Sequence, residues 1–204
     1  MNPENKKCDI IVLFDGYSVN SEQGSQSNCT CTLIKGNKNV IVDTMTAWDG
    51  PKLEKAIEEN GLKCSDIDYV VCTHGHSDHI GCNYLFQNAI HIVGRCVSKK
   101  DVYYNFDFAA GKPYLIDVNI RVIPTPGHTL QDVSVLVSTD KGLYAITGDL
   151  FENKDDENLW YRLEVDDAEL QRKYRSEMLR HADFIIPGHG PMFPAKYKYD
   201  QITI

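Results

Sequence analysis

The sequence predicts a single α/β domain over residues 1–204, in which mixed β-sheets and a few helices form a sandwich. Nine short apolar runs of β-type residues indicate strands, whereas only two stretches have clear helical periodicity. Because strands outnumber helices so strongly, a regular alternation of strand and helix around one parallel sheet is not expected. No low-complexity tract or linker divides the 204 residues, a length that suits one packed unit.

The predicted elements follow from local patterns along the chain. In order, the predicted strands are 8–14, 28–34, 39–43, 68–73, 89–93, 119–123, 132–138, 142–147 and 183–187. Residues 51–60 predict a helix, with Pro51 in a natural first-turn position. Residues 167–182 predict a second helix, and 82–88 a short third one. The polar stretch at 21–28 is typical of a loop.

Composition and charge predict a cytoplasmic protein with access to the nucleus. Apolar residues make up 42% of the chain and charged residues 25%, as in ordinary globular proteins. The sequence lacks both a membrane-length apolar run and the apolar core of a signal peptide, so we expect no membrane association. Seven cysteines without a C-x-x-C pair favour a reducing compartment. The net charge of −8 argues against a broad basic surface for polyanions, although bound metal ions do not enter that count.

Side chains with metal-ligand chemistry follow the predicted strands at four places. The run His-Gly-His-Ser-Asp-His at 74–79 supplies four of them directly after an apolar strand. Three later turns each supply one more, namely His128, Asp149 and His189. Binding and catalytic groups often gather where loops leave a rigid sheet. Imidazole and carboxylate are the ligands expected for zinc, and also for iron or manganese.

Together these side chains predict a centre for two divalent cations. A lone histidine is usually a surface or hydrogen-bonded core residue, but seven ligand-type residues at four strand ends are a much stronger indication. In a tight loop, His74 and His76 can converge on one ion while Asp78 and His79 converge on another. We expect Zn²⁺, with Fe²⁺ or Mn²⁺ as alternatives because they accept the same ligands.

The same motifs resemble those of the metallo-β-lactamase superfamily. HGHSDH, PGHT, GD and PGHG stand in the expected order between residues 74 and 190. The resemblance implies an αββα sandwich, with two mixed sheets flanked by helices and two metal ions along one edge. Every ligand position of the superfamily is occupied. The implied ligands are His74, His76 and His128 for the first metal, Asp78, His79 and His189 for the second, and Asp149 as the bridge between them.

A closer resemblance, through THGHSDHIG, DVSVLV, GDLFE and PGHGPMF, is to a compact animal branch of that superfamily. It implies a homodimeric hydrolase linked to endonucleolytic cleavage of histone pre-messenger RNA, so RNA is the expected substrate. Asp78 and Asp149 are then the carboxylates expected to take part in catalysis. Zinc β-lactamases of the best-known type carry cysteine at the position of Asp149, so antibiotic hydrolysis is not expected.

Two other functions stay open on the same residues. A thioester hydrolase of the glyoxalase II type uses the same seven ligands but usually adds a C-terminal helical substrate domain, and this sequence ends soon after His189. A non-catalytic metal-binding scaffold is the third alternative, and the intact ligand set argues against it.

Four features lie outside this ligand set. Asp43, at a strand end, is either an ordinary turn residue or a carboxylate that orients a ligating histidine. The aromatic segment 102–108 could form a lid, an interface or core, and the acidic run 155–157 predicts a solvated loop. Cys82 stands beside the metal box without an assigned role.

Overall fold

The computed structural model describes residues 7–22, 24–158, 160 and 165–195, and within that part the strands form two large sheets and one hairpin. In chain order the strands are β1 (Asp9–Phe14), β2 (Tyr17–Ser21), β3 (Gly24–Asn28), β4 (Cys31–Lys35), β5 (Val40–Val42), β6 (Tyr69–Cys72), β7 (Ile90–Val93), β8 (Cys96–Lys99), β9 (Val102–Tyr104), β10 (Tyr114–Leu115), β11 (Ile120–Pro124), β12 (Val133–Thr139), β13 (Gly142–Gly148), β14 (Phe184–Pro187) and β15 (Phe193–Pro194). The α-helices are α1 (Gly50–Glu59), α2 (Ser77–Ile80) and α3 (Ala168–His181). Short 3₁₀ turns lie at Cys64–Asp66, Asn83–Leu85, Phe108–Ala110 and Asp156–Asn158.

Both large sheets are mixed. The first has the order β1-β4-β5-β6-β7-β8-β9, and the second has the order β10-β11-β12-β13-β14-β15. Strands β5, β6 and β7 are parallel neighbours, and so are β13 and β14. The other neighbouring pairs in these two sheets are antiparallel. Each of the nine strands predicted from the sequence is therefore confirmed within a few residues, as are the helices over 51–60 and 167–182.

The main core lies between the two sheets. Val42 and Val71 of the first sheet pack in one fully buried cluster with Val135 and Ile146 of the second. The central strands bury their other faces as well, so their sequences read as continuous apolar runs rather than as an alternation.

The helices cover the outer faces of the sheets. Leu53 and Ile57 of α1 pack with Ile41 on the outside of the first sheet. Met178 of α3 packs with Ile185 on the outside of the second sheet. The order of layers is therefore helix, sheet, sheet, helix, which confirms the predicted αββα sandwich.

The loops that leave the parallel strands meet at one edge of the sandwich. Strands β5 and β6 end at this edge in the first sheet, and β13 and β14 end there in the second. Two backbone hydrogen bonds join the sheets at this edge, from Val133 N to Thr73 O at 2.9 Å and from Thr30 N to Gly188 O at 2.6 Å. Segments that are far apart in sequence are thus held together by the backbone itself.

Two local predictions were wrong. The polar stretch 21–28 is not a loop, because its residues from Gly24 onward form β3, which pairs antiparallel with β2. Strand β3 contains no apolar residue and its first three residues are exposed, so the apolar alternation that normally reveals a strand is absent from it. The predicted helix at 82–88 is only the 3₁₀ turn Asn83–Leu85.

No helix within the described ranges combines the length and the apolar character that a membrane span requires.

Candidate metal centre

All seven ligand-type side chains predicted from the sequence meet at the edge where the two sheets are joined. They form two groups, and within each group the potential ligand atoms lie within 4.8 Å of one another. The first group consists of His74, His76, His128 and Asp149. The second group consists of Asp78, His79 and His189.

The carboxylate of Asp149 lies between the two groups. Its Oδ2 is 3.6 Å from His74 Nε2, 3.4 Å from His128 Nε2 and 3.3 Å from His189 Nε2. Its Oδ1 is 3.3 Å from the Nε2 atom of His79. The carboxylate thus faces histidines of both groups, as expected of a bridging ligand.

The spacing of the imidazoles suits one cation in the first group. His76 Nδ1 lies 2.8 Å from His74 Nε2 and 3.2 Å from His128 Nε2. Two nitrogens bound to one tetrahedral zinc at its usual bond length stand roughly 3.3 Å apart. Three inward-facing ring nitrogens at these separations therefore fit a shared metal ion.

Two buried atoms without a hydrogen-bond partner indicate a place for a second cation, between the first group and His79 of the second. His79 Nε2 and Asp149 Oδ1 are buried and have no hydrogen-bond partner in the described part of the chain. Buried polar atoms normally have a partner, because an unsatisfied one costs about 1–3 kcal/mol. A divalent cation between the two groups would satisfy both atoms, so the residues present fit the expected metal ions.

Asp43 controls the orientation of two of these histidines. Its Oδ2 lies 2.9 Å from His79 Nδ1 and accepts a 3.0 Å hydrogen bond from the hydroxyl of Thr73. Since that hydroxyl donates to Asp43, its oxygen can accept from His74 Nδ1, which is 3.1 Å away. Both imidazoles then turn Nε2 toward the centre as the nitrogen available to a metal ion, which supports the alternative in which Asp43 orients a histidine.

The backbone of Asp43 is unusual as well. This buried residue has φ of 56°, in the left-handed region that few residues other than glycine adopt readily. Its Oδ1 also accepts a 2.7 Å hydrogen bond from the backbone N–H of Thr73. These contacts hold the carboxylate against the loop that carries the metal box.

The hairpin β2–β3 supports the second group. His189 Nδ1 donates to the backbone oxygen of Asn28 at 3.0 Å, which leaves its Nε2 facing Asp149. The hydroxyl of Ser27 donates to Asp78 Oδ2 at 2.8 Å. The stretch that resembled a loop in the sequence thus positions two of the predicted ligands.

Helix α3 supports the centre from the second sheet through the backbone. The side-chain amide of Gln171 donates to the backbone oxygen of Asp149 at 3.1 Å. Arg175 donates to the backbone oxygen of Leu150 at 2.8 Å and pairs through two nitrogens with Asp156, at 2.8 and 2.6 Å. Asp156 is buried in this ion pair, so the prediction of a solvated acidic loop was wrong for this residue.

The electrostatics differ between the two groups. Burial disfavours the charged form of His79, but the carboxylates of Asp149 and Asp43 outweigh it and hold the pKa of His79 well above its usual range. The pKa of His189 is raised to about 9, because Asp149 likewise overcomes the effect of burial. Burial and the neighbouring imidazoles instead lower the pKa of His74 and His128.

Glu152 is a member of the centre that the sequence did not predict. Its carboxylate groups with Asp149 and His189, with potential ligand atoms within 4.8 Å of one another. Burial, followed by the charge of Asp149, raises its pKa to about 8. The available signal was its position three residues after Asp149 in the GDLFE motif.

The other singled-out features have structural roles. Cys82 is buried in the cluster under α1, and its thiol donates to the backbone oxygen of Thr46 at 3.0 Å. Segment 102–108 divides in two. Phe106 and Phe108 pack against the inter-sheet core, whereas the side chains of β9 are exposed at the edge of the first sheet.

The αββα layers and a centre of histidines and carboxylates define a metallo-hydrolase fold, and the sequence agrees. Residues 24–189 match the model of the Metallo-beta-lactamase superfamily, so this chain belongs to that family. The chain is 40% identical over 190 residues to Metallo-beta-lactamase domain-containing protein 1 of Xenopus laevis, covering 90% of this chain and 80% of that protein. It is 39% identical to the Homo sapiens protein of the same name, covering 76% of this chain and 59% of that protein.

Solved structures show the same fold. A crystal structure of a Thermotoga maritima protein described as a metallo-beta-lactamase superposes with a TM-score of 0.70 and 21% sequence identity. The superposition covers 92% of this chain and 99% of the Thermotoga chain. At that identity the likeness concerns the fold alone.

Proposed function

We propose that this chain is an endoribonuclease that hydrolyses RNA phosphodiester bonds at a centre of two divalent cations, in the processing of histone pre-messenger RNA. The observation that carries the proposal is the convergence of the seven predicted donors at one edge of the sandwich, where four of the histidines face the carboxylate of Asp149. The choice of RNA as substrate rests on the resemblance of the metal-box, GDLFE and PGHGPMF motifs to the compact animal branch.

The residues named above would hold the two ions, with Zn²⁺ as the expected metal. His74, His76 and His128 would hold the first and Asp78, His79 and His189 the second, with Asp149 shared. When bound, such a pair of cations activates water and stabilises the negative charge that develops on the reacting phosphate.

The protein's own contribution is to fix the orientation of the ligand side chains. Asp43 and Thr73 fix the rings of His79 and His74, and the backbone of Asn28 fixes the ring of His189. These outer contacts make each inward nitrogen available before any substrate arrives, which is the usual function of such partners. Asp149 is itself held from the backbone side by α3.

The charge of the centre favours an anionic substrate. Two divalent cations bring four positive charges, against three negative charges from the predicted ligands Asp78 and Asp149 and from the attacking hydroxide. A phosphodiester would therefore meet local positive charge on a chain whose formal net charge is −8. Long-range attraction of RNA would be weak, so we expect recognition to depend on contacts close to the centre.

Trp48 is a candidate for such a contact. Its side chain is 88% exposed, although a residue of this size usually buries most of its surface. The adjacent Asp49 accepts a 2.9 Å hydrogen bond from the side chain of Asn28, whose backbone oxygen holds His189. An exposed indole next to a residue that is hydrogen-bonded to a support of the centre suits stacking on an unpaired base.

The deciding experiment compares two substrates on one preparation. Purified protein is assayed on single-stranded RNA and on a glutathione thioester, with its metal content measured in the same sample. We expect RNA cleavage and two equivalents of bound metal. Cleavage of the thioester alone would favour a glyoxalase II-like activity and overturn the RNA assignment.

A variant of Trp48 tests the recognition step. We expect Trp48→Ala to weaken RNA binding by about 1–3 kcal/mol, the usual contribution of one stacked base, without changing the metal content. Tyr103→Ala, which removes an exposed aromatic ring from the edge strand β9, is the matched control. Equal RNA affinity of wild type and Trp48→Ala would exclude stacking at this position.

A further inference from the structure

We propose that Glu152 is an additional metal-facing carboxylate, which belongs to the subsite of Asp78, His79 and His189. This inference rests on the proposed function, since it assumes that the centre holds two cations. It assigns to the second subsite a group that the seven-ligand pattern does not contain.

The position of the side chain supports this role. Glu152 Oε2 lies 3.9 Å from His189 Nε2, the same nitrogen that faces Asp149 Oδ2 at 3.3 Å. The Glu152 side chain is only 12% exposed, so it is directed into the centre rather than into solvent. The three potential ligand atoms of Asp149, Glu152 and His189 all lie within 4.8 Å of one another.

The backbone fixes Glu152 on both sides. Its carbonyl oxygen accepts a 2.7 Å hydrogen bond from the backbone N–H of His189. Its own N–H donates to Asp156 Oδ2 at 2.8 Å, and Asp156 is locked in the buried ion pair with Arg175. The backbones of Glu152 and His189 are therefore held next to each other by the fold, which keeps the Glu152 carboxylate within reach of the His189 ring.

The charge around Glu152 calls for a cation. The carboxylates of Glu152 and Asp149 stand beside one another, and Glu152 can ionise next to Asp149 only at a cost unless a cation lies with them, which is why its pKa is raised in the metal-free chain. In the described part of the chain, the structure shows no ion pair between Glu152 and a lysine or arginine, and Arg175 pairs with Asp156. A divalent cation next to His189 would compensate the charge.

The two subsites would then differ in ligand chemistry. The first offers three imidazoles and the shared Asp149, whereas the second offers two imidazoles and the carboxylates of Asp78, Asp149 and Glu152. Carboxylate-rich sites suit harder ions such as Mn²⁺ better than nitrogen-rich sites do. We therefore assign to Glu152 a role in how strongly the second subsite holds Mn²⁺ relative to Zn²⁺.

The test measures metal binding directly and needs no assay of hydrolysis. Zn²⁺ and Mn²⁺ are titrated into apo wild type and Glu152→Gln in competition with a chromophoric chelator. We expect the variant to bind the second equivalent ~10–100-fold more weakly, with the larger loss for Mn²⁺ and no change in the first equivalent. Asp155→Asn, which removes one exposed charge from the same loop, is the matched control and should keep wild-type affinities within about twofold.

A second variant covers the case in which Glu152→Gln fails to fold, as judged by its thermal unfolding. Glu152→Asp keeps the charge but withdraws the carboxylate by one methylene, so a weakened second equivalent in a folded protein supports the proposal. Wild-type affinity for the second equivalent in either folded variant would overturn it. Wild type that binds two equivalents and cleaves RNA would then leave the proposed function intact, whereas wild type that binds no second equivalent would overturn both.

Discussion

The metal centre is supported from two sides by different means. On the side of the first sheet, the carboxylate of Asp43 acts on side chains, because it orients His79 directly and His74 through Thr73. On the side of the second sheet, α3 acts on the backbone, because Gln171 and Arg175 bind carbonyl oxygens of the turn that carries Asp149.

The difference separates two requirements of the centre. The contacts of Asp43 decide which nitrogen of an imidazole faces the metal. This depends on which ring nitrogen carries the proton and has little effect on packing. The contacts of α3 decide where the Asp149 turn lies, and they include a buried ion pair whose loss is costly in any folded protein. We therefore expect variants on the first side to change metal affinity, and variants on the second side to change stability.

The largest effect is expected at the point where the two supports meet. Asp149→Ala removes the carboxylate that faces histidines of both groups, so bound metal should be lost and hydrolysis should fall to background in a folded chain. His76→Ala should behave in the same way, since His76 provides one of three converging nitrogens. Metal analysis, circular dichroism and an RNA cleavage assay check this. Full activity in a metal-depleted Asp149→Ala sample would contradict the proposed metal-dependent mechanism.

The same variant distinguishes an enzyme from a scaffold. If Asp149→Ala abolishes hydrolysis and also abolishes function in cells, the chain acts as an enzyme. Retained cellular function with no hydrolysis would instead favour the scaffold alternative.

Breaking the support on the side of the second sheet should lower stability. Arg175→Met removes the ion pair with the buried carboxylate of Asp156, and breaking a buried pair on one side typically costs about 3–5 kcal/mol of unfolding free energy. Urea unfolding measures this loss, with Lys173→Met on the exposed face of α3 as the control. An unchanged unfolding free energy in Arg175→Met would show that the support from α3 does not contribute to stability.

On the side of the first sheet, Asp43→Asn should lower metal affinity by ~10–100-fold, or roughly 1.4–2.7 kcal/mol, with a smaller effect on stability than Arg175→Met. The amide of asparagine can still accept from Thr73 but can place an N–H against His79 Nδ1. The amide would then favour the neutral tautomer of His79 that keeps its proton on Nε2, the form that cannot bind a metal ion through that nitrogen. Chelator competition gives the affinity, and the ¹⁵N shifts of the histidines give the tautomer. A variant with wild-type affinity and tautomer would show that Asp43 has only a packing role.

The last expected effect concerns pH and separates the two metal subsites. His189, with a pKa of about 9, and His79, with a raised pKa, are protonated at neutral pH in the metal-free chain and must release protons on binding. His74 and His128 have lowered pKa values and are already neutral.

Affinity for one equivalent of metal should therefore rise about tenfold per proton released for each pH unit between 7 and 8, while affinity for the other stays nearly flat. Titration calorimetry in buffers of different ionisation enthalpy counts the released protons. Equal pH dependence of both equivalents would contradict the difference between the subsites.

The seven donors were predictable because the fold places them where sequence patterns are most readable. Each follows an apolar strand that ends at the shared edge, so His128 and His189 could be linked to the 74–79 run although they are distant in sequence. Parallel strands made this inference possible, since their carboxyl ends meet at one edge.

Other members of the site were hidden from the sequence for physical reasons. The strand that carries Ser27, β3, contains no apolar residue and therefore shows no apolar alternation. Asp156 resembled a solvated acid because its partner, Arg175, lies on a helix that only the folded chain brings near. Glu152 follows β13 as closely as His128 follows β11, but a lone glutamate there belongs to no recognised ligand motif, and its closeness to His189 depends on a hydrogen bond between two loops.

At Asp43, backbone strain and the function of the side chain favour different residues, because the backbone is left-handed but the carboxylate is needed. Glycine adopts this conformation with less strain, so a library screened only for heat resistance would be drawn toward glycine at position 43. A variant selected in this way would keep the sandwich fold but lose the carboxylate of Asp43, which aligns two imidazoles. Engineering of this scaffold for durability should therefore leave that position fixed.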